Sequence, residues 1–234
     1  IGPGGCDQMT GIAMEALKKS DAIIGYTVYV DLVKDTFPDK EFLTTPMKKE
    51  VDRCVLAFEE AMKGKVVSMI CSGDAGVYGM AGLMYEVGVN YPEVELEIVP
   101  GVTAALGGAA VLGAPLIHDF CLISLSDLLT PWEKIEARLL GASQADFVIC
   151  LYNPSSKKRH DYLQKACDLM MQYKSPDTVC GTVCNIGREG EEYHLMTLKE
   201  LRDTQVDMFT TVFIGNSRTM KLNGRMVTPR GYKL

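Results

Sequence analysis

Short apolar runs alternate with longer amphipathic segments along most of the chain. The apolar runs are rich in β-branched residues, as in residues 66–71 (VVSMIC) and 145–152 (ADFVICLY). In the segments between them, such as residues 10–19, apolar side chains recur at the spacing of one helix face. Strands that alternate with helices in this way form a mainly parallel sheet covered by helices. The pattern therefore predicts an α/β protein.

The same pattern gives the order of the predicted elements. Apolar spacing and capping residues predict helices over residues 10–19, 46–64, 78–84, 104–113, 160–173 and 197–201, and one that begins at Pro131. Strands are predicted over residues 21–26, 66–71, 94–99, 122–125, 145–152, 178–184, 193–196 and 208–214. The alternation is less regular after a proline-containing junction at residues 115–119. We therefore expect two α/β domains, residues 1–118 and 119–234.

Several predicted strands end in small or polar residues directly before a helix. At the carboxyl edge of an open α/β sheet, such ends border a crevice in which backbone groups can meet a small molecule. Taken alone, each turn is at least as well explained as an ordinary loop between a strand and a helix as it is as part of a binding site. Together they predict one cleft between two α/β halves, lined by Pro3-Gly4, Ser72-Gly73-Asp74, Thr103-Ala104, Tyr152-Asn153-Pro154 and Asn185-Ile186-Gly187.

Composition narrows the classes of function. The 234 residues carry a net charge of −6 and no long basic stripe, so nucleic-acid binding is not indicated. No apolar run reaches the roughly 20 residues of a membrane span. The eight cysteines lie mostly in apolar runs and include no C-x-x-C pair. This favours buried free thiols in a reducing cytoplasm over disulfides or a metal site.

Common nucleotide-binding and hydrolase motifs are missing from the sequence. It has no G-x-x-x-x-G-K-[ST], no G-x-G-x-x-G before a helix and no G-x-S-x-G. Nucleoside triphosphates and dinucleotides are therefore disfavoured as ligands. His118 beside Asp119 could form an acid–base pair, but the capping of a turn is the simpler interpretation.

The turns Gly2-Pro3-Gly4 and Ser72-Gly73-Asp74, residues 99–104 (VPGVTA) and the segment at Pro115 follow one another in a recognisable order. In this order they resemble the signatures of the tetrapyrrole methylase family of S-adenosylmethionine (SAM) enzymes. The second half resembles the branch of that family that methylates ring carbon C-17 in cobalamin (vitamin B12) synthesis. The motifs that carry this narrower resemblance are residues 123–132 (ISLSDLLTPW), 151–154 (LYNP), 187–191 (GREGE) and 224–232 (GRMVTPRGY).

The resemblance implies a fold and a cofactor. It implies two α/β domains with SAM in the cleft between them, a fold distinct from the Rossmann-type methyltransferase, and a homodimer without a metal site. Carried over by motif, the SAM site would be lined by Pro3, Gly73, Asp74, Val77, Thr103, Ala104, Asn153 and Ile186.

The sequence departs from the family pattern in two places. Ile1 leads directly into the first turn, which predicts further strand residues upstream. The cofactor loop reads Ser-Gly-Asp-Ala where many relatives have Gly-Gly-Asp-Pro, although the glycine and the aspartate remain.

The implied reaction transfers a methyl group from SAM to C-17 of precorrin-3B or cobalt-factor III and contracts the ring, with S-adenosylhomocysteine as the product. The substrate carbon is the nucleophile, so the protein supplies mainly alignment and proton movement at an oxygen atom. The motifs offer Ser126, Asp127, Thr130, Tyr152 and Arg188 for that work. Basic side chains for the carboxylates of the substrate are Lys157, Arg159, Arg188 and Arg218, each of which is otherwise a solvated surface charge.

Three alternatives stay open at this stage. The chain could methylate another position of a tetrapyrrole, or it could bind a tetrapyrrole without catalysis. A third alternative within the same fold, the diphthamide enzyme that acts on a protein, is disfavoured by residues 125–132 (LSDLLTPW). The motifs do not separate the metal-free from the cobalt-loaded substrate.

Overall fold

The computed structural model describes residues 1–46, 48–156 and 159–233. By their contacts, the residues divide into two compact units, 1–104 and 105–234. Both units combine helices with strands, so the predicted α/β class is confirmed.

The first unit is built on a three-stranded sheet whose strands are all parallel. Strand β1 (Ala22–Tyr26) lies between β2 (Glu41–Thr45) and β3 (Val67–Met69). Ile23 and Ile24 of β1 are fully buried in two separate apolar clusters, as expected of a strand that is covered on both faces. The helices of this unit are α1 (Gly11–Lys19), α2 (Thr27–Asp31), α3 (Glu50–Ala61) and α4 (Ala81–Gly88), with a 3₁₀ turn at Cys6–Gln8.

Helix α1 begins where the sequence predicts. The Thr10 hydroxyl oxygen accepts a hydrogen bond of 3.2 Å from the backbone N–H of Ala13, which caps the helix. Ala13 and Leu17 form its buried side, and Leu17 packs in the same cluster as Ile23. The apolar spacing therefore identified this helix and part of its buried face, but Ile12, which the spacing places on that face, is 62% exposed.

Residues 94–99 do not form the predicted strand. They have no regular secondary structure and pair with no strand among the described residues. This segment and residues 67–71, which include the end of β3, help to line one cavity of about 740 Å³. Sheet pairing requires a neighbouring backbone at about 4.8 Å. The alternating pattern predicted a strand, but the segment makes no such pairing within the described part of the chain.

The second unit contains a five-stranded sheet in the order β5-β6-β9-β7-β8, and β4 belongs to a separate small sheet. The strands of this unit are β4 (Gly113–Ala114), β5 (Phe120–Ser124), β6 (Val148–Tyr152), β7 (Val179–Cys184), β8 (Glu192–Thr197), β9 (Thr210–Ile214), β10 (Met220–Leu222) and β11 (Arg225–Val227). The helices are α5 (Ala104–Leu112), α6 (Trp132–Gln144), α7 (Tyr162–Met170) and α8 (Leu198–Arg202).

The direction of β9 determines which strand ends lie together. β5 and β6 are parallel, whereas β9 runs antiparallel to both β6 and β7. β6 and β7 therefore point the same way. As a result, the carboxyl ends of β5, β6 and β7 lie at one edge of the sheet, and the carboxyl end of β9 lies at the opposite edge.

Helix α5 starts at the last residue of the first unit but packs on the second. A Cβ atom added to Gly108 would lie 2.9 Å from the Phe213 ring, and one added to Gly181 would lie 2.8 Å from the Leu112 side chain. β4 pairs in parallel with β11. By these contacts residues 105–118 lie with the second unit, although the predicted boundary places them before it. The domain division at 118 and 119 itself stays a prediction.

The sequence patterns missed α2, β2, β4 and the hairpin of β10 and β11. The side chains of β2 do not strictly alternate in burial, since only Glu41 and Thr44 are exposed, so a period-two pattern does not reveal this strand. The hairpin of β10 and β11 turns at Asn223-Gly224, where φ is +49° and +76°. Asn-Gly is the sequence typical of a two-residue hairpin turn, so that signal was present in the sequence.

Helix α8 offers a test of how local sequence stabilises the second unit. The Thr197 hydroxyl oxygen accepts from the Glu200 N–H, and the Glu200 carboxylate accepts from the Thr197 N–H at 2.8 Å, which together form a capping box. We expect Thr197→Ala to lower the free energy of unfolding by about 1 kcal/mol. The Glu200 N–H loses the hydroxyl that accepts its hydrogen bond, and the reciprocal bond from the Thr197 N–H to the Glu200 carboxylate is weakened. Urea unfolding measures this. Lys199→Ala, on an exposed position of the same helix, should change it by less than about 0.5 kcal/mol, and equal effects of the two changes would contradict the assignment.

Candidate functional site

The first unit places the N-terminal turn beside the end of β3. The Gly2 N–H donates to the Gly73 carbonyl oxygen at 3.1 Å, and the Gly73 N–H donates to the Gly2 carbonyl oxygen at 2.7 Å. Both glycines have positive φ, +74° and +69°, a conformation that glycine adopts without strain. Pro3 is therefore held next to Gly73.

The Asp74 carboxylate joins two loops. One oxygen accepts a hydrogen bond of 2.8 Å from the Gly76 N–H, and the other accepts one of 2.8 Å from the Gly101 N–H. The Val77 N–H donates to the Asp74 carbonyl oxygen at 3.2 Å. The side chain of Asp74 thus shapes the turn after β3 and fixes the loop that precedes α5.

Gly101 is required for the close approach of these loops. A Cβ atom at this position would lie 2.2 Å from the Gly73 carbonyl oxygen, closer than any real contact. Thr103 is buried, and its Cα would lie 3.6 Å from a Cβ on Gly73. The structure therefore brings together the predicted cofactor residues of this unit, which are Pro3, Gly73, Asp74, Val77, Thr103 and Ala104.

In the second unit, the ends of β5 and β6 are joined by hydrogen bonds. The Leu125 N–H donates to the Tyr152 carbonyl oxygen at 2.9 Å. The Asn153 side-chain amide donates to the Ser124 hydroxyl at 3.0 Å, and Asn153 itself has a φ of +52°. The backbone N–H of Ala105, in the first turn of α5, donates to the Tyr152 hydroxyl oxygen at 2.8 Å. Tyr152 thereby connects the sheet edge to α5.

The turn after β7 lies at the same edge. Asn185 and Gly187 have positive φ, +51° and +66°, and the Arg188 N–H donates to the Asn185 carbonyl oxygen at 2.9 Å. Ile186 between them is 5% exposed, and its side chain reaches within 3.0 Å of where a Cβ on Gly108 would be. Ile186 and Tyr152 therefore both pack at α5.

The loop after β5 is held by side chains from α7 and the segment before it. The Arg159 guanidinium donates to the Ser126 hydroxyl at 2.7 Å and to one Asp127 carboxylate oxygen at 3.2 Å. The Tyr162 hydroxyl donates to the other Asp127 oxygen at 2.7 Å. The Tyr162 ring in turn packs on Trp132, with ring centroids 4.5 Å apart.

These contacts determine the charge state of Asp127. The hydrogen bond from Tyr162, followed by that from Arg159, lowers the pKa of the Asp127 carboxyl below its usual value, against the opposing effect of burial. At neutral pH the group is a carboxylate. It can accept hydrogen bonds, and it has no proton of its own to donate.

Two of the predicted basic residues differ from expectation in their surroundings. Arg159 has a side chain that is 14% exposed, and its donors are used on Ser126, Asp127 and Ser156. Arg218 follows β9, so it lies at the opposite edge of the sheet from Tyr152. There it lines a small cavity of about 200 Å³ with His118 and Asp146. The antiparallel direction of β9 explains this location. Lys157 lies outside the described residues.

Sequence reasoning missed two residues that organise the site. Tyr162 binds Asp127 from 35 positions away, and no motif announces such a distant contact. Ser124 accepts from Asn153; it lies within the quoted motif 123–132, but nothing in the sequence indicated this contact. Gly101 was part of a quoted motif, and only the three-dimensional approach to Gly73 reveals why a glycine stands there.

Two further searches concern the described residues alone. Among them no three histidine, cysteine or acidic side chains are grouped as a metal site. Nor do they include a helix that is long and apolar enough to cross a membrane.

The sequence and the fold both match known proteins. A family model described as Tetrapyrrole (Corrin/Porphyrin) Methylases matches residues 1–202. The chain belongs to this family. The methylases of this family use SAM as the methyl donor.

Curated relatives of this methylase are similar over its whole length. It is 48% identical over 235 residues to the "Probable cobalt-factor III C(17)-methyltransferase" of Salmonella typhimurium, and the match covers 100% of this chain and 98% of the relative. It is 46% identical to the "Cobalt-factor III methyltransferase" of Priestia megaterium, of whose longer chain it covers 44%. It is 40% identical to the "Precorrin-3B C(17)-methyltransferase" of a Sinorhizobium species, and the match covers 99% of this chain and 94% of the relative.

Solved structures agree with the fold. The crystal structure of the methyltransferase CobJ matches this methylase with a TM-score of 0.88 and 34% identity, over 97% of this chain and 96% of the other. At 20% identity and a TM-score of 0.71, the uroporphyrin-III C-methyltransferase of Thermus thermophilus, solved with S-adenosylhomocysteine, shares the fold over 92% and 94% of the two chains. The predicted tetrapyrrole methylase fold is confirmed.

The contact of Gly101 with Gly73 generates a prediction for this methylase. We expect Gly101→Ala to lower the free energy of unfolding by about 1–3 kcal/mol, because its Cβ would overlap a backbone oxygen that cannot turn away. It should also weaken SAM binding, measured by isothermal titration. The matched control is Gly82→Ala in α4, because a Cβ there meets nothing within 4 Å. This substitution should stabilise the helix by about 0.5–1 kcal/mol. A Gly101→Ala protein as stable as wild type would show that the loops do not need this approach.

Proposed function

We propose that this protein is a SAM-dependent C-methyltransferase that methylates C-17 of cobalt-factor III and contracts its ring, in the synthesis of cobalamin. The observation that carries the proposal is the end-to-end match, at 48% identity, to a relative named for that reaction. The two relatives named for the cobalt-loaded substrate are 48% and 46% identical, and the one named for metal-free precorrin-3B is 40% identical. This order supports the cobalt-loaded macrocycle as the preferred substrate.

The loop geometry of the first unit fits a SAM site. The Gly2–Gly73 pair and the Asp74 bond to Gly101 bring three loops together with little side-chain bulk between them. A bound nucleoside can then be contacted largely through backbone groups. We propose that Pro3, Gly73, Asp74, Val77, Thr103 and Ala104 hold SAM, together with Asn153 and Ile186 of the second unit.

When bound, SAM supplies an electrophilic methyl group on a sulfonium sulfur. The substrate carbon is electron-rich, so the protein's task is to hold the two atoms at a near-attack distance of about 3–3.5 Å and to exclude water. Ring contraction also requires proton movement at an oxygen of the macrocycle. The hydroxyls of Ser126, Thr130 and Tyr152 can donate or relay a proton there, whereas ionised Asp127 acts as an acceptor. Arg188 is proposed to face the substrate's carboxylates.

We also propose a homodimer that works in the cytoplasm. All eight cysteines lie in the described part of the chain and carry free thiols. Burial raises the pKa of Cys54 and Cys121 to about 11, so these thiols stay protonated at neutral pH. Unpaired cysteines fit a reducing compartment. Light scattering on the purified protein measures the number of chains directly.

The test of the function is a substrate competition. The protein is incubated with SAM and an equal mixture of cobalt-factor III and precorrin-3B, and the products are separated and weighed by mass spectrometry. The proposal expects one methyl group to be added, preferentially to cobalt-factor III. Methylation of precorrin-3B alone would contradict the substrate assignment. Binding of a macrocycle without any transfer would instead support a non-catalytic binding protein, and transfer to another macrocycle a different methylase.

The role of Asp74 gives a prediction for the cofactor. Asp74→Ala removes the acceptor of two backbone N–H groups; the exposed Gly76 N–H can bond to water, whereas loss of the acceptor at the part-buried Gly101 N–H costs about 1–3 kcal/mol. We expect the Kd for SAM to rise by about tenfold or more, measured by isothermal titration on protein that circular dichroism shows to be folded. The control is Asp39→Ala, an exposed aspartate of the same unit, which should leave the Kd unchanged. An unchanged Kd in Asp74→Ala would remove this carboxylate from the cofactor site.

A further inference from the structure

Two adjacent leucines stand in solvent at the tip of the loop that follows β5. Leu128 is 72% exposed, and Leu129 is 99% exposed. Leucine is usually a core residue, and an isolated exposed one needs no explanation. Two in succession, on a loop beside a candidate active site, form an apolar surface that a ligand could cover. We call residues Leu128 and Leu129 the leucine tip.

The leucine tip is held by a rigid frame. On its N-terminal side, Asp127 is bound by Arg159 at 3.2 Å and by Tyr162 at 2.7 Å. On its C-terminal side, Trp132 packs against the same Tyr162 ring. Tyr162 and Trp132 both pack on the buried core of this unit. A tip fixed at both sides loses little conformational freedom when a ligand binds, which favours affinity.

The frame also balances the negative charge of the loop with the Arg159 guanidinium. Asp127 is the one acidic residue between β5 and α6, and a bare carboxylate there would repel a substrate with many carboxylates. Arg159 supplies the compensating positive charge, and Tyr162 donates to the second oxygen. The loop therefore presents an apolar and locally neutral surface, suited to the flat ring of a macrocycle and not to its acidic periphery.

Position and size both favour a small-molecule occupant. The loop starts at the end of β5, where Leu125 bonds to Tyr152 and Asn153 bonds to Ser124, so it continues the edge that carries the candidate residues of this unit. A stable protein interface needs about 800 Å² from each partner, far more than two leucine side chains provide.

We propose that the leucine tip contacts one face of the tetrapyrrole ring and so contributes to the choice of substrate, with Arg159 and Tyr162 as positioning residues. This inference rests on the proposed function, because it takes its ligand class from there. It assigns the 126–130 loop a binding role that is separate from proton transfer.

The test measures binding of cobalt-factor III to the enzyme saturated with S-adenosylhomocysteine, so that no turnover occurs. Quenching of Trp132, the one tryptophan of the chain, gives the Kd. We expect Leu128→Ser with Leu129→Ser to raise this Kd by about 10- to 100-fold, since each buried leucine contributes substantially to binding. The Kd for S-adenosylhomocysteine should stay within about twofold, because the leucines are not among the residues proposed to hold the cofactor. Val89→Ser, at a valine that is 78% exposed in the first unit, is the matched control and should change neither Kd.

Tyr162→Phe tests the positioning role separately. It keeps the ring packed on Trp132 and removes only the donor to Asp127. We expect it to raise the Kd for cobalt-factor III by about 3- to 10-fold in the wild-type background, and to add nothing when both leucines are already serine. A purely structural role would weaken binding equally in both backgrounds, and that result would overturn the positioning assignment.

The outcomes separate this inference from the proposed function. If wild type binds and methylates cobalt-factor III while the double serine variant binds it equally well, the inference alone is overturned. The same holds if that variant changes the number of chains in the assembly with no change in Kd, because the tip is then a contact between copies. If wild type neither binds nor methylates the macrocycle, the proposed function fails and the inference fails with it.

Discussion

The Asp74 carboxylate is the constraint on which the candidate cofactor site depends. Its two oxygens accept hydrogen bonds from the backbone N–H groups of Gly76 and Gly101, which lie 25 residues apart in sequence. The bond to Gly101 draws its loop so close to Gly73 that no Cβ atom fits between them. The positive φ of Gly73 and its paired hydrogen bonds to Gly2 bring in the N-terminal turn. The Asp74 side chain therefore acts mainly by binding backbone N–H groups. The loops that it holds together pack so closely that glycine is required at Gly101.

In the second unit, too, several polar side chains serve mainly to position loops. Tyr152 and Ile186 connect the sheet edge to α5 through a hydrogen bond and an apolar contact, respectively. Arg159 and Tyr162 hold the loop between β5 and α6, and they keep Asp127 ionised. Polar residues that resemble catalytic groups in the sequence thus include some whose hydrogen bonds serve mainly to position a loop. The hydroxyls of Ser126, Thr130 and Tyr152, together with the Asp127 carboxylate as an acceptor, remain the proposed groups for proton movement, and Arg188 is proposed to face the carboxylates of the substrate.

Much of this organisation could be predicted from the sequence, and the exceptions have physical causes. Apolar spacing located α1, β1, β6 and β7, and the capping threonines marked where α1 and α8 begin. Pattern alone does not report strand direction, so Arg218 was grouped with strand ends that lie at the opposite edge of the sheet. Pattern does not report pairing either: among the described residues, the alternating segment 94–99 pairs with no strand. Contacts between residues distant in sequence, such as Tyr162 with Asp127, leave no local signal.

The central claim is that the chain transfers a methyl group from SAM to one particular carbon of cobalt-factor III. The most direct measurement is carbon NMR of the product formed with SAM that carries a ¹³C-labelled methyl group. The account predicts a single labelled methyl signal, coupled to carbon C-17 of a contracted ring, together with release of S-adenosylhomocysteine. A labelled methyl on any other carbon, or a macrocycle recovered without label while SAM stays intact, would contradict it.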